Sequence, residues 1–126
     1  MRVVLFIFLM GICGCAGENV DNEKNNVITE KVTFDVSRLD SDGLLGKAGG
    51  KRSLSYEFCI PNTDKCKAEV KSIDPGVGFM RSRGRIGCSE SQWLCIGSTH
   101  QGGFMEVLAN LCVLDYIDRI DECFFE

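Results

Sequence analysis

A chain of 126 residues and 13.9 kDa has room for a single domain. With 44% hydrophobic residues, two prolines and 14 glycines that follow no three-residue period, disordered-acidic, collagen-like and proline-rich classes are excluded. A net charge of −4 argues against general nucleic-acid binding, so no nucleic-acid partner is expected.

Met1-Arg2 is a minimal basic start, and residues 3–12 form an apolar run long enough for a signal-peptide core but too short for a bilayer-spanning helix. The run predicts an export signal over 1–14. Ile12-Cys13-Gly14-Cys15-Ala16-Gly17 follows, and here the sequence resembles bacterial lipoprotein precursors. Ile12 stands at −3, Gly14 at −1 and Cys15 at the lipidated position, with Cys13 an untypical residue at −2. The resemblance ends near residue 17 and implies a membrane anchor on Cys15. Ala16 after that cysteine implies an outer-membrane lipoprotein facing the periplasm of the cell envelope. The alternative is secretion as a soluble protein, with cleavage after a small residue such as Gly17. Residues 15–26 then read as the lipidated cysteine and a polar flexible tether, and 27–126 as one globular domain.

Either route removes Cys13 and leaves Cys59, Cys66, Cys88, Cys95, Cys112 and Cys123 in the folded part. An even set in an exported chain implies a disulfide framework, and six cysteines allow 15 connectivities. Charge is unevenly spread. Residues 18–46 carry 3 basic and 7 acidic side chains, 47–85 carry 9 and 4, and 86–126 carry 1 and 7, so the middle of the domain is basic.

Ile28, Val32, Phe34 and Val36 follow a period of two, predicting a strand over Val27 to Val36. Asp40 to Arg52, with Gly43, Gly46, Gly49 and Gly50, reads as a long mobile loop without phosphate-loop spacing. Leu54, Tyr56, Phe58 and Ile60 alternate with polar residues in a strand with one buried face. Asn62, Thr63 and Asp64 are N-cap candidates, and Cys66, Val70 and Ile73 recur at helical spacing before Asp74-Pro75. Gly76 to Ile86 and Gln92 to Thr99 are two strands of a hairpin. Phe104, Leu108, Leu111 and Cys112 form the stripe of a second helix after Gly102-Gly103. Tyr116 to Phe125 fits either a strand or a continuing helix; the strand gives every apolar face a partner layer.

The order β-α-β-β-α-β resembles the ferredoxin-like split βαβ fold. The expectation is an α+β, disulfide-stapled sandwich with an antiparallel sheet, two helices on one face and an extra N-terminal strand. In that arrangement Cys66 pairs with Cys112, Cys88 with Cys95 and Cys59 with Cys123, although the last two lie toward opposite ends. A sequential scheme, Cys59 with Cys66 and Cys112 with Cys123, stays open.

Arg81-Ser82-Arg83-Gly84-Arg85 is the clearest chemical feature. On a strand its three guanidinium groups form a row spaced ~7 Å apart, suited to phosphate or carboxylate; the alternative is a charge-protected edge strand. His100, the only histidine, follows Ser98 in a glycine-flanked loop and is the candidate acid or base of a small hydrolase. Trp93 and Phe79 read as sheet-packing residues. The acidic run Asp115, Asp118, Asp121, Glu122 and Glu126 lacks a calcium-loop pattern, and no metal or other cofactor is indicated. The function expected is an exported, lipid-anchored binding or structural protein without catalysis, meeting an anionic envelope component or protein through Arg81, Arg83 and Arg85. The alternatives are the His100 hydrolase and a protease-inhibitor-like module. The sequence leaves the oligomeric state open.

Overall fold

The computed structural model describes residues 26–124. The export signal, Cys15, the tether up to residue 25 and Glu126 lie outside these residues.

The expected N-terminal strand is instead a helix, α1, over 26–31 among the described residues, followed by a 3-10 turn at Val36–Arg38. Spacing explains the difference. Ile28 and Val32 stand four apart, which puts them on one side of a helix as well as of a strand, and both are buried. Glu30 would face inward on a strand but is exposed on α1. The chain then meets the sheet edge through an isolated parallel bridge between Val32 and Ile120 and a hydrogen bond from the Thr33 hydroxyl to Asp121.

The glycine-rich stretch also has more order than expected. Leu44–Leu45 (β1) and Arg52–Ser53 (β2) pair as a small antiparallel ribbon. Gly43, at φ 76°, lies so close to Thr99 that a Cβ there would overlap the Thr99 carbonyl. The Thr99 hydroxyl donates to the Gly43 carbonyl over 2.6 Å and accepts from the Leu54 amide over 3.0 Å, tying the ribbon to the main body.

Ser55–Pro61 (β3) is the inner strand around which the rest assembles. Tyr56, Phe58 and Ile60 bury almost completely on its core face, each contributing ~1.5–3 kcal/mol. After Pro61 the Thr63 side chain accepts the Cys66 amide at 3.1 Å and starts helix α2, Asp64–Ile73. Gly78–Met80 (β4) and Gln92–Ser98 (β5) are antiparallel neighbours, with Phe79 opposite Cys95 and Met80 opposite Leu94. β5 also pairs along the whole of β3, from Ser55 opposite Ser98 to Pro61 opposite Gln92.

Helix α3, Phe104–Val113, buries Phe104, Leu108, Ala109, Leu111 and Cys112. These join Val70 of α2 and Tyr56, Phe58, Ile60 and Cys95 of the sheet in one core. The ambiguous final segment is a strand only over Asp121–Cys123 (β6), where it pairs with Ser55 to Glu57. The main sheet has the order β4-β5-β3-β6, and all its pairings are antiparallel. The described residues thus form a mixed α+β structure with antiparallel sheets and three α-helices.

Among the described residues there is one disulfide, Cys59–Cys88, with Cα atoms 5.5 Å apart. Cys66, Cys95, Cys112 and Cys123 are thiols, so neither expected pairing scheme holds. Sidedness explains this. Cys95 faces the helical core together with Phe58, whereas Cys88 is outside that core and reaches Cys59 on the other side of the sheet. Cys123 is level with Ser55, four residues along β3 from Cys59, which is ~13 Å at strand rise. Cys66 lies against Tyr116, at the margin of the core that holds Cys112.

Candidate anion-binding site

Arginines 81, 83 and 85 do not form a row on a strand. β4 ends at Met80, and residues 81–91 leave the ladder as an ordered loop that folds across the sheet face opposite the helices. Four features hold it there. Gly84 and Gly87 take left-handed φ values of 62° and 87°, a region where a side chain is strained. The Arg83 carbonyl accepts both the Gly87 and Cys88 amides, at 3.1 and 2.8 Å. The Ile86 amide donates to Glu57 Oε1 over 2.8 Å. The Cys59–Cys88 bridge fixes the far side.

This loop explains why the strand's second face is not solvated. Glu57 is 3% exposed and Leu94 2% exposed, both beneath it. Gly84 is required on steric grounds as well, since a Cβ would come within 2.9 Å of the Leu94 side chain and 3.1 Å of Glu57 Oε2. Glu57 also accepts from the Cys123 thiol. Burial, followed by the Glu57 charge and this hydrogen bond, pushes the Cys123 thiol above its ordinary range. A buried carboxylate in the middle of β3 was not legible as a site residue: in sequence it resembles any outward-facing strand position.

The outer side of the loop forms a groove of about 410 Å³ lined by Arg81, Ser82, Arg83, Ser89, Glu90 and Gln92. Arg81 Nη2 donates to the Glu90 carbonyl over 2.8 Å, closing the loop over its own base. Its guanidinium lies 5.1 Å from the centre of the Trp93 ring. Lys67 Nζ, from α2, lies 4.5 Å from the same ring and 5.3 Å from that of Phe79. Phe79 meets Trp93 edge-on at 6.4 Å. Trp93 thus carries two cations, each contact being worth ~0.5–2 kcal/mol. No carboxylate pairs with Lys67, Arg81 or Arg83 among the described residues, and the Arg83 guanidinium meets no acceptor there. Arg85 points elsewhere: it sits 5.9 Å from the Phe124 ring, in a separate hollow that includes Glu57 and Glu122. The structure therefore brings together Arg81 and Arg83, adds Lys67, and removes Arg85 from the expected set.

The loop around Ser98 and His100 is built differently. His100 is exposed; its Nδ1 lies 3.4 Å from the Asp42 carbonyl, and its backbone amide donates to Ser98 Oγ over 3.2 Å. The serine oxygen is thus engaged by backbone, and the ring's neighbour is a carbonyl, not a carboxylate. Beside it Gln101 Nε2 donates to the Ser98 carbonyl at 2.7 Å, with longer contacts of 3.4 Å to the Tyr56 hydroxyl and Asp74 Oδ1. The acidic C-terminal side chains form no metal-binding group among the described residues.

No protein-family model matches the chain, and neither a curated protein nor a solved structure matches it.

Proposed function

We propose that the chain is an exported, lipid-anchored envelope protein with a binding role, in which the Arg81–Arg83 groove contacts an anionic partner. The observation that carries this reading is that Arg83 holds out a guanidinium, without an acceptor among the described residues, from a loop fixed by a disulfide and a buried carboxylate. Such a group is prepaid in conformational terms, because the backbone beneath it is ordered before a ligand arrives. Arg81 and Lys67 extend the positive charge along one side, and a planar fork suits phosphate or carboxylate oxygens.

The anchor rests on Ile12, Gly14 and Cys15, and the outer-membrane, periplasm-facing address on Ala16; release as a soluble secreted protein is the competing outcome. The architecture is read as a ferredoxin-like sandwich, supported by the chain order β3-α2-β4-β5-α3-β6 and the sheet order β4-β5-β3-β6. That fold hosts many unrelated functions and adds no specificity of its own.

Binding is tested with two probes, vesicles containing phosphatidylglycerol and an oligoglutamate peptide, at low and at physiological salt. Salt-sensitive binding of either probe that Arg83→Ser weakens supports the reading; failure of both to bind, or binding indifferent to Arg83→Ser and Arg81→Ser, overturns it. Mass spectrometry of the mature protein from its native envelope tests the anchor by reporting the diacylglyceryl mass and the first residue.

A further inference from the structure

β4 is an edge of the main sheet, with β5 on one side and no described strand on the other. Little covers it. Gly78 is exposed and Met80 is 43% exposed, an unusual position for a large apolar side chain. A Cβ at Gly78 would meet only the Ile96 carbonyl, at 3.9 Å, and one at Gly76 would meet nothing within 4 Å. The opposite edge is different: the Thr33 amide donates to the Ile120 carbonyl over 3.0 Å and the Ile120 amide to the Lys31 carbonyl over 2.8 Å, which shields the entry to β6.

Natural edges are defended by shortness, charge or covering. β4 is short, and its remaining defence is the cation pair beside it, Arg81 at its end and Lys67 over Phe79. That defence is selective. A second copy approaching β4 to β4 would bring Lys67 and Arg81 against their own duplicates, whereas an acidic strand would find complementary charge. Neither cation has a carboxylate partner among the described residues.

We infer that the β4 edge accepts an extended acidic segment of a partner protein as a further strand of the sheet, its carboxylates falling against Lys67 and Arg81. The inference rests on the anionic-partner reading above and specifies the partner. Main-chain hydrogen bonds along Gly78 to Met80 supply attachment, and alternate side chains of the added strand reach the cations, because every second residue of a strand points to the same side.

The test uses the purified full-length chain and a fluorescent peptide alternating Thr with Glu, read by anisotropy. Comparison peptides carry Lys in place of Glu, or N-methyl groups on alternate backbone nitrogens. The acidic peptide should bind, slow amide exchange at Phe79 and Met80, and bind about tenfold or more weakly to Lys67→Ala and Arg81→Ser variants. The Lys peptide should not bind, and the N-methylated peptide should bind about tenfold more weakly. Equal binding of the N-methylated peptide would overturn strand addition while leaving the anionic-partner reading intact. Absence of acidic-peptide binding would also overturn it; the broader reading would then stand only if phosphatidylglycerol vesicles still bound through Arg83. Concentration-dependent dimerisation abolished by Met80→Lys would overturn it too, by showing the edge occupied by a second copy.

Discussion

The Tyr56 hydroxyl donates to Asp74 Oδ2 over 2.6 Å, joining the inner strand β3 to the residue that closes α2, and Asp74 is 0% exposed. Gln101 supplies the other side-chain contact, at 3.4 Å to Asp74 Oδ1. The tyrosine ring passes directly over Gly97, where any Cβ would fall inside it. Burial, then the hydrogen bond to Asp74, pushes the phenol well above its ordinary range, so it stays a donor. Tyr56→Phe removes the close donor while keeping the ring. It should cost about 2–3 kcal/mol, measured as a lowered urea midpoint with an unchanged slope. A variant as stable as the parent would contradict this pairing.

Gly43→Ala should be more damaging than Gly84→Ala. Both positions have positive φ, which alone costs about 1–2 kcal/mol for a non-glycine residue. At Gly84 the obstacle is the flexible end of Leu94 and the Glu57 carboxylate; at Gly43 it is the Thr99 backbone carbonyl, which cannot move without breaking the link between β1 and the core. Thermal denaturation of the two variants should rank them in that order, with Gly43→Ala poorly folded.

Loss of the Cys59–Cys88 bridge should destabilise the fold by about 2–4 kcal/mol and loosen the 81–91 loop before the core. Cys59→Ala/Cys88→Ala is therefore expected to be cut by trypsin at Arg81, Arg83 or Arg85 under conditions where the parent resists, while far-ultraviolet circular dichroism stays near that of the parent. Equal resistance would show that Glu57 and the glycine turns hold the loop unaided.

The remaining cysteines divide by burial. Native alkylation should label Cys66 and Cys123, which are half-buried, and spare Cys95 and Cys112 until the chain unfolds. Burial and then the Asp74 charge push the Cys95 thiol up to about 12, and burial pushes Cys112 up to about 11. Because the folded values exceed the unfolded ones, the neutral-thiol contribution is whole below about pH 9 and is lost as the pH climbs through 11 to 12. Urea midpoints should therefore fall between about pH 8 and about pH 10.5, and less steeply in Cys95→Ala/Cys112→Ala. Peptide mapping that found Cys66, Cys95, Cys112 or Cys123 bridged would refute the assignment.

Local signals were legible where one explanation accounted for the pattern. Thr63 as a cap, Val70 and Ile73 on α2, and Phe104, Leu108 and Leu111 on α3 each follow from spacing and chemistry within about a dozen residues. The misreadings came from patterns shared by two structures. Ile28 and Val32 suit helix and strand alike, and the arginines after Met80 alternate where the β4–β5 register runs out, Gln92, the first residue of β5, standing level with position 82. The cysteine pairing was hidden for another reason: it depends on which side of the sheet each residue meets. That is set by a loop crossing the face of β3, not by separation along the chain. Arg81 and Arg83 stand out in the sequence by their alternate spacing, whereas Lys67 comes beside Arg81 only through the packing of α2 against Trp93.

Helices seal one side of the β3–β5 ladder by packing, whereas the cover over the other is also stitched covalently, between Cys59 and Cys88. Without that bond, Leu94 and Glu57 lie under a cover held by the Ile86–Glu57 hydrogen bond, the glycine turns and packing. Closing the Cys59–Cys88 bond therefore adds a covalent hold to the second cover, and with it both sides of the slab are shut.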